Sequence, residues 1–388
     1  MARFTLPRDL YHGKGALEEL KHFEGKKAVV CVGGGSMKRF GFLDRAVGYL
    51  KEAGMEVELI EGIESDPSVE TVMKGAQKMI EFQPDWIIAM GGGSPIDAAK
   101  AMWIKYEYPD VTFEDMCKVF GLPKLRRKAH FCAVSSTSGT ATEVTAFSII
   151  TDYSKGIKYP IADFEITPDV AIVDPELAET MPKKLVAHTG MDAMTHAIEA
   201  YIGRSTTKLT RAMSEEAATR IVRSLYTAYE NGGDMQARAD MLRAAYCAGV
   251  SFTRSYVGYV HGVAHSLGGQ YGVPHGLANA VILPYFLDAY GAACHQKLGR
   301  LARVAHVAPE SASDREAAEA FIRWIREMNA RMGIPEKIPQ IRTADIPEMA
   351  RHAARESNPL YPVPVLMDER QLAQMYVQLM PAKKEENA

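Results

Sequence analysis

The sequence predicts an α/β protein in two parts, a parallel-sheet N-terminal half followed by an all-helical half. Three observations carry this. Short β-branched or apolar runs alternate with helical patterns through residue 173, and long patterns rich in alanine, leucine, methionine and arginine take over after residue 179. Clusters of glycine or hydroxyl residues stand directly behind three of the apolar runs.

Taken in order, residues 28–32, 57–60, 86–90 and 131–134 read as strands, with the rhythm of a parallel sheet joined by crossover helices. Between the second and third, Asp66 and Pro67 read as an N-cap followed by proline at the first helical position, and Val69, Val72, Met73, Ala76 and Met79 recur at helical spacing. Residues 145–150 and 157–161, separated by a turn over 152–156, read as an inserted β-hairpin. A further strand at 170–173 ends at the Asp174-Pro175 break. Residues 207–229, 236–256, 315–332 and 369–380 then read as long helices. The boundary falls at 179/180, giving an α/β half of 1–179 and a helical half of 180–388.

A chain of 388 residues, 47% hydrophobic and 24% charged, is long enough for two ordinary domains with large cores. Its 45 basic and 48 acidic residues leave a formal charge of −3, which offers no field for nucleic acid or an anionic membrane. The five cysteines, Cys31, Cys117, Cys132, Cys247 and Cys294, form no Cys-x-x-Cys pair. That argues against a disulfide framework or a thiolate zinc site and fits a reducing cytoplasm. Met1-Ala2-Arg3-Phe4 runs into Pro7 and Asp9 without an apolar signal core, and no apolar run approaches a membrane span, so neither export nor membrane insertion is expected. The charged residues 383–388 are expected to fray.

The strongest chemical signal lies in the helical half. Asp192 and His196 stand four positions apart in a segment of good helical character, so they share one helix face. His261 and His265 repeat the spacing, and His275 follows a loop containing glycines and Pro274. Imidazole nitrogens with a carboxylate oxygen suit iron(II) or zinc rather than calcium or magnesium. A lone histidine pair at helical spacing is better explained by caps and surface hydrogen bonds; the full set favours a metal site. His188 would extend the stripe, but Thr189-Gly190 suggests that the helix is only beginning there, and a structural role is expected for it.

Gly91-Gly92-Gly93-Ser94-Pro95 follows a strand and opens a helix, an arrangement that aims backbone N–H groups and a positive dipole end at a phosphate. Gly33-Gly34-Gly35-Ser36 follows the first strand and precedes Lys38 and Arg39, and Ser135-Ser136-Thr137-Ser138-Gly139-Thr140 follows another. Each alone is as well read as a plain turn. Three at strand ends favour one nucleotide crevice in a Rossmann-like half, although neither glycine set is the usual G-x-G-x-x-G fingerprint.

Together these motifs resemble the iron-dependent (type III) alcohol dehydrogenases, a family that includes butanol dehydrogenases, lactaldehyde reductases and aldehyde reductases. The likeness runs from Tyr11-His12-Gly13-Lys14-Gly15-Ala16 to the final helices, through residues 91–100, Gly139-Thr140 with Glu143-Val144, residues 192–199 and residues 261–284. It implies Asp192, His196, His261 and His275 as ligands of Fe(2+), with Zn(2+) as the other candidate, and His265 as a second-sphere residue and proton conduit. It implies cofactor contacts at Gly92, Gly93, Ser94 and Asp97, at Ser136, Thr137 and Thr140, and at Lys158; Asp66 is counted with them. Phe147 and Phe252 would line an apolar substrate site for a small primary alcohol or aldehyde. The ion would polarise the substrate oxygen while hydride passes to or from the nicotinamide.

Relatives that use NAD often carry an aspartate just after the first strand. Here Gly34, Gly35 and Ser36 occupy that stretch and leave room for a 2′-phosphate, so NADP(H) is expected over NAD(H). The family's habit also implies a homodimer. A dehydroquinate synthase-like architecture is implied as well, and a metal-dependent lyase of that kind is one alternative, but it would want a glutamate where Asp192 stands and a basic cluster for a phosphorylated substrate. A non-catalytic nucleotide-binding protein is another, against which the intact ligand set argues.

Overall fold

The computed structural model describes residues 3–381, so the expectation for residues 383–388 lies outside it. Strands β1 (Asp9–His12), β2 (Lys27–Gly33), β3 (Glu56–Ile63), β4 (Trp86–Gly91), β5 (His130–Ser135) and β8 (Val170–Val173) form one sheet in the order β1-β8-β5-β4-β2-β3. Every pairing in it is parallel. β6 (Phe147–Asp152) and β7 (Ile157–Ala162) form a separate antiparallel hairpin, as the sequence predicts.

Helices α1 (Ser36–Arg39) and α2 (Phe42–Glu52) follow β2, α3 (Val69–Phe82) follows β3, and α4 (Gly93–Glu107) follows β4. The short α5 (Phe113–Met116) precedes β5, and α6 (Pro175–Ala178) follows β8. The helical half comprises α7 (Lys183–Ile202), α8 (Lys208–Glu230), α9 (Met235–Ser255), α10 (Tyr259–Tyr271), α11 (His275–Tyr290), α12 (Ala292–Val304), α13 (Asp314–Arg331), α14 (Ile346–Ser357) and α15 (Glu369–Leu379).

The apolar strand runs are continuous because both sheet faces are covered. Alternate residues sort to opposite cores, as the two-residue period of a strand requires. Val29, Ile87, Ala89 and Phe131 pack with Val72, Met79 and Met102 of α3 and α4. Val30, Ile88, Cys132 and Ile172 pack with Leu43 and Leu50 of α2. The chain passes from β2 outward to β3 and then returns to the other side of β2 as β4. That reversal leaves a crevice beyond the carboxyl ends of β2 and β4, where parallel sheets bind ligands.

Three sequence expectations change. β1 was not anticipated: its Asp-Leu-Tyr-His pattern carries no strand signature, and its register comes from pairing with β8, Asp9 opposite Val170. The N-cap of α3 is Ser68 rather than Asp66, since the Ser68 hydroxyl accepts from Thr71 N at 3.1 Å. Asp66 instead adopts a left-handed backbone, φ 55°, and turns its carboxylate to Lys158. Finally, α7 begins at Lys183, so His188 already lies inside it, and Gly190 is small because Leu225 of α8 packs against it, not because a helix starts there.

No helix among the described residues is long and apolar enough to cross a membrane. Close contact between α7 and α11 sets where His275 begins its helix: a Cβ on Gly276 would stand 2.5 Å from the carbonyl oxygen of His188. Gly276→Ala is therefore expected to destabilise the protein by about 1–3 kcal/mol, read as a lowered Tm in thermal unfolding; an unchanged Tm would contradict the close approach.

Candidate functional site

Three helices of the second half bring four donors together. Asp192 and His196 lie one turn apart on α7, His261 is in the first turn of α10, and His275 opens α11. One ligand atom from each of the four lies within 4.8 Å of all the others. Asp192, His196 and His261 are buried, and His275 is partly open to the cleft. Burial lowers the basicity of all three imidazoles, for His261 and His275 well below the usual histidine range. They are therefore neutral at pH 7, the form that donates a lone pair to a metal.

The donor set fits a cation. The amide nitrogen of Asn279 lies 2.6 Å from Asp192 Oδ1, 3.0 Å from His275 Nε2 and 3.2 Å from His261 Nε2, while its own buried Oδ1 has no partner. An amide has two N–H bonds for these three acceptors, so converging lone pairs outnumber the protein's own donors. A divalent ion suited to imidazole and carboxylate satisfies that imbalance, and calcium or magnesium would not choose this set.

A second layer aims the ligands. Glu199, one turn beyond His196, accepts from Val260 N at 2.9 Å and meets His261 Nδ1 at 2.6 Å, which turns His261 Nε2 toward Asp192. Burial pushes the Glu199 carboxyl up to about 8. His265 is not one of the four: its ring stacks on His275 with centroids 5.1 Å apart, and its Nδ1 meets Glu356 Oε1 of α14 at 2.7 Å. Tyr361 donates to the same Glu356 oxygen at 2.7 Å. His188 lines the cleft but does not join the cluster.

The cluster opens into one cleft of about 1270 Å³ that extends to the carboxyl ends of β2 and β4. Gly92, Gly93 and Ser94 line it at the start of α4, and Ser136, Thr137 and Thr140 line it from the loop after β5. These two loops form one cradle: a Cβ on Gly93 would stand 2.9 Å from the Thr140 methyl. The hydroxyl of Thr137 is buried without a partner, a donor left for a ligand. Gly34 and Ser36 line the far end, and Gly35 (φ 91°) turns the chain between them into α1. Asp97 sits at the floor, accepting from Thr142 Oγ1 at 2.6 Å, and burial pushes its carboxyl up to about 6. Lys158 lines the same cleft with its ammonium 2.5 Å from Asp66 Oδ1. Phe252 stacks on His196 at 4.2 Å, and Phe147 lies 6.2 Å beyond it, so both candidate substrate residues wall the cleft beside the cluster.

Sequence reasoning did not assign roles to Asn279, Glu199 or Glu356. Asn279 follows His275 by four positions and Glu199 follows His196 by three, so helical spacing could have found both. Glu356 is 91 residues from His265, and no local pattern joins them. The stretch after β2 holds no acid, as expected, and Lys38 just beyond it pairs with Glu61 of the neighbouring β3 at 3.0 Å.

A buried carboxylate–imidazole cluster at one end of a dinucleotide-type crevice defines the class, a metal-dependent enzyme of the nucleotide-binding kind. The family model for iron-containing alcohol dehydrogenase matches residues 7–175, and that for the C-terminal part of the Fe-containing alcohol dehydrogenase family matches residues 186–380. The chain belongs to the iron-containing alcohol dehydrogenase family. It is 54% identical to an NADPH-dependent butanol dehydrogenase of Clostridium saccharobutylicum, over 88% of this chain and 87% of that one. It is 37% identical to the bifunctional aldehyde-alcohol dehydrogenase of Escherichia coli (strain K12), over 86% of this chain but only 40% of that longer protein. Among solved structures, a 1,3-propanediol oxidoreductase superposes with a TM-score of 0.91 at 32% identity, covering 98% of this chain and 100% of that one.

Glu199→Gln keeps an acceptor for Val260 N but removes the carboxyl group that meets His261 Nδ1. Metal affinity, measured by chelator competition, is expected to fall at least about tenfold; wild-type affinity would show that Glu199 does not orient His261.

Proposed function

We propose that this chain reduces small aldehydes, and oxidises the corresponding primary alcohols, with NADP(H) as hydride carrier and an iron(II) or zinc ion held by Asp192, His196, His261 and His275. The observation that carries the reading is the convergence of these four donors on the wall of the same cleft that the glycine and hydroxyl loops line. In this reading residues 1–179 hold the dinucleotide and residues 180–388 hold the ion.

When bound, the ion supplies Lewis acidity that polarises a substrate oxygen. The chain's own residues do the rest. Backbone N–H groups at Gly92 and Gly93, the Ser94 hydroxyl and the positive end of α4 hold the pyrophosphate. Ser136, Thr137 and Thr140 fix the dinucleotide from the opposite side, with Asp97 bracing their loop through Thr142. Lys158, steadied by Asp66, closes the cleft over the nicotinamide end. Phe147 and Phe252 exclude water from the reacting atoms and favour an apolar chain. Glu356 fixes Nδ1 of His265, which leaves Nε2 to exchange the substrate's proton.

Cofactor choice rests on the space after β2. A Cβ on Gly34 meets nothing within 4 Å, and Ser36 offers a hydroxyl. The NADPH-dependence of the Clostridium relative supports the same choice. A homodimer in the cytoplasm completes the reading; β1 pairs with β8 on one side, and its other edge is where a second copy could add.

Iron(II)-loaded protein given butanal should oxidise NADPH with a higher kcat/KM than NADH. Gly34→Asp, which fits without a clash and repels a 2′-phosphate, should lose most of that preference. A wild-type preference for NADH would overturn the cofactor assignment, and no butanal-dependent oxidation of either cofactor would overturn the reaction.

A further inference from the structure

Lys100 takes no part in the chemistry above, yet it is one of the largest fully buried side chains in the molecule. It lies on α4, two turns in from the glycine N-terminus. Its ammonium donates to the carbonyl oxygens of Thr142 at 2.7 Å, Thr145 at 2.8 Å and Phe147 at 2.8 Å. Three N–H bonds therefore meet three carbonyls of a single loop. A buried ammonium persists only where hydrogen bonds and opposite charge replace water. The carbonyls supply the first, and Asp97 and the buried Glu143 supply the second. Asp97, one turn earlier on α4, holds the same loop by accepting from Thr142 Oγ1 and the strand that follows it by accepting from Ile149 N at 3.2 Å.

The loop so gripped, residues 139–147, is the joint between the two halves. At one end it docks on the metal-carrying α7, where a Cβ on Gly139 would stand 2.6 Å from Thr189 Cβ. At the other, Ala146 N donates to Thr253 Oγ1 of α9 at 3.2 Å. Between these, Thr140 forms one wall of the dinucleotide cradle and Phe147 one wall of the substrate site. Its backbone is not relaxed: Ala141 has φ 53°, a conformation a residue with a Cβ rarely adopts. Something must hold it there, and α4, whose N-terminus carries the phosphate loop, supplies the grip.

We infer that Lys100 is a positioning residue for hydride transfer: by pinning three carbonyls of residues 142–147 to α4, it fixes the separation between the bound dinucleotide and the metal-carrying α7. A lysine serving packing alone would need no carbonyl cage. A lysine serving stability alone would leave the folded fraction of a variant catalytically normal.

The inference rests on the reading of the cleft as a dinucleotide site beside a metal. The test is Lys100→Met, of similar length without donors, in the full chain loaded with iron(II). Metal affinity by chelator competition is expected to match the wild type, because Lys100 itself bonds to none of the four ligands. Dissociation constants for NADPH and NADH, measured by nucleotide fluorescence, are expected to rise about tenfold. The kcat for butan-1-ol is expected to fall about 100-fold, with a larger isotope effect on kcat for 1,1-dideuterated butan-1-ol as hydride transfer becomes limiting. Lys100→Gln, which retains two donors on a shorter stem, serves where Lys100→Met gives no soluble protein, and the same shifts at smaller size are expected. Folded, metal-loaded variant with wild-type nucleotide affinity, kcat and isotope effect would overturn the inference. Failure of the functional reading shows itself separately, as a wild type that binds neither nucleotide.

Discussion

The structure depends on one electrostatic constraint: a carboxyl group and three neutral imidazoles from α7, α10 and α11 converge where the protein supplies only the two N–H bonds of Asn279 to answer them. Lone pairs gathered in a buried place repel one another unless a cation joins them. Much of the helical half can be understood as holding that arrangement. Glu199 ties α7 to α10 through His261 and Val260, and the closeness of Gly276 to His188 ties α11 to α7. The apolar core around them is large and continuous, which lets the polar cluster persist at its edge.

The second constraint is register between two binding sites built by different rules. A dinucleotide is held by helix dipoles and backbone N–H groups at strand ends, a metal by side chains on helices. Chemistry between them tolerates little error in distance. The loop after β5 touches α4, α7 and α9, and so carries that register. The β6-β7 hairpin closes the cleft from the other side, with Lys158 reaching Asp66 across it.

Much of this was legible in the sequence, because the informative residues obey local periodicities. Asp192 and His196, and likewise Gly91-Gly92-Gly93 after an apolar run, are recognisable within a single helical turn or loop. What escaped depends on distant partners. β1 is a strand only because β8 offers it an edge, and the carboxylate of the left-handed Asp66 goes to Lys158, 92 residues away. Glu356 reaches His265 from another helix, and Lys100 is a charge on a largely apolar helix, with a role that shows only once the loop it grips is seen. Nothing in the sequence marks a subunit interface.

The central claim is that Asp192, His196, His261 and His275 together hold one divalent ion. X-ray absorption at the iron and zinc edges of anaerobically purified protein tests it most directly. The account predicts about one ion per chain with a first shell of nitrogen and oxygen only, at about 2.0–2.2 Å, and imidazole scattering from three rings. Sulfur in the first shell, or an ion whose spectrum is unchanged in His275→Ala, would contradict it.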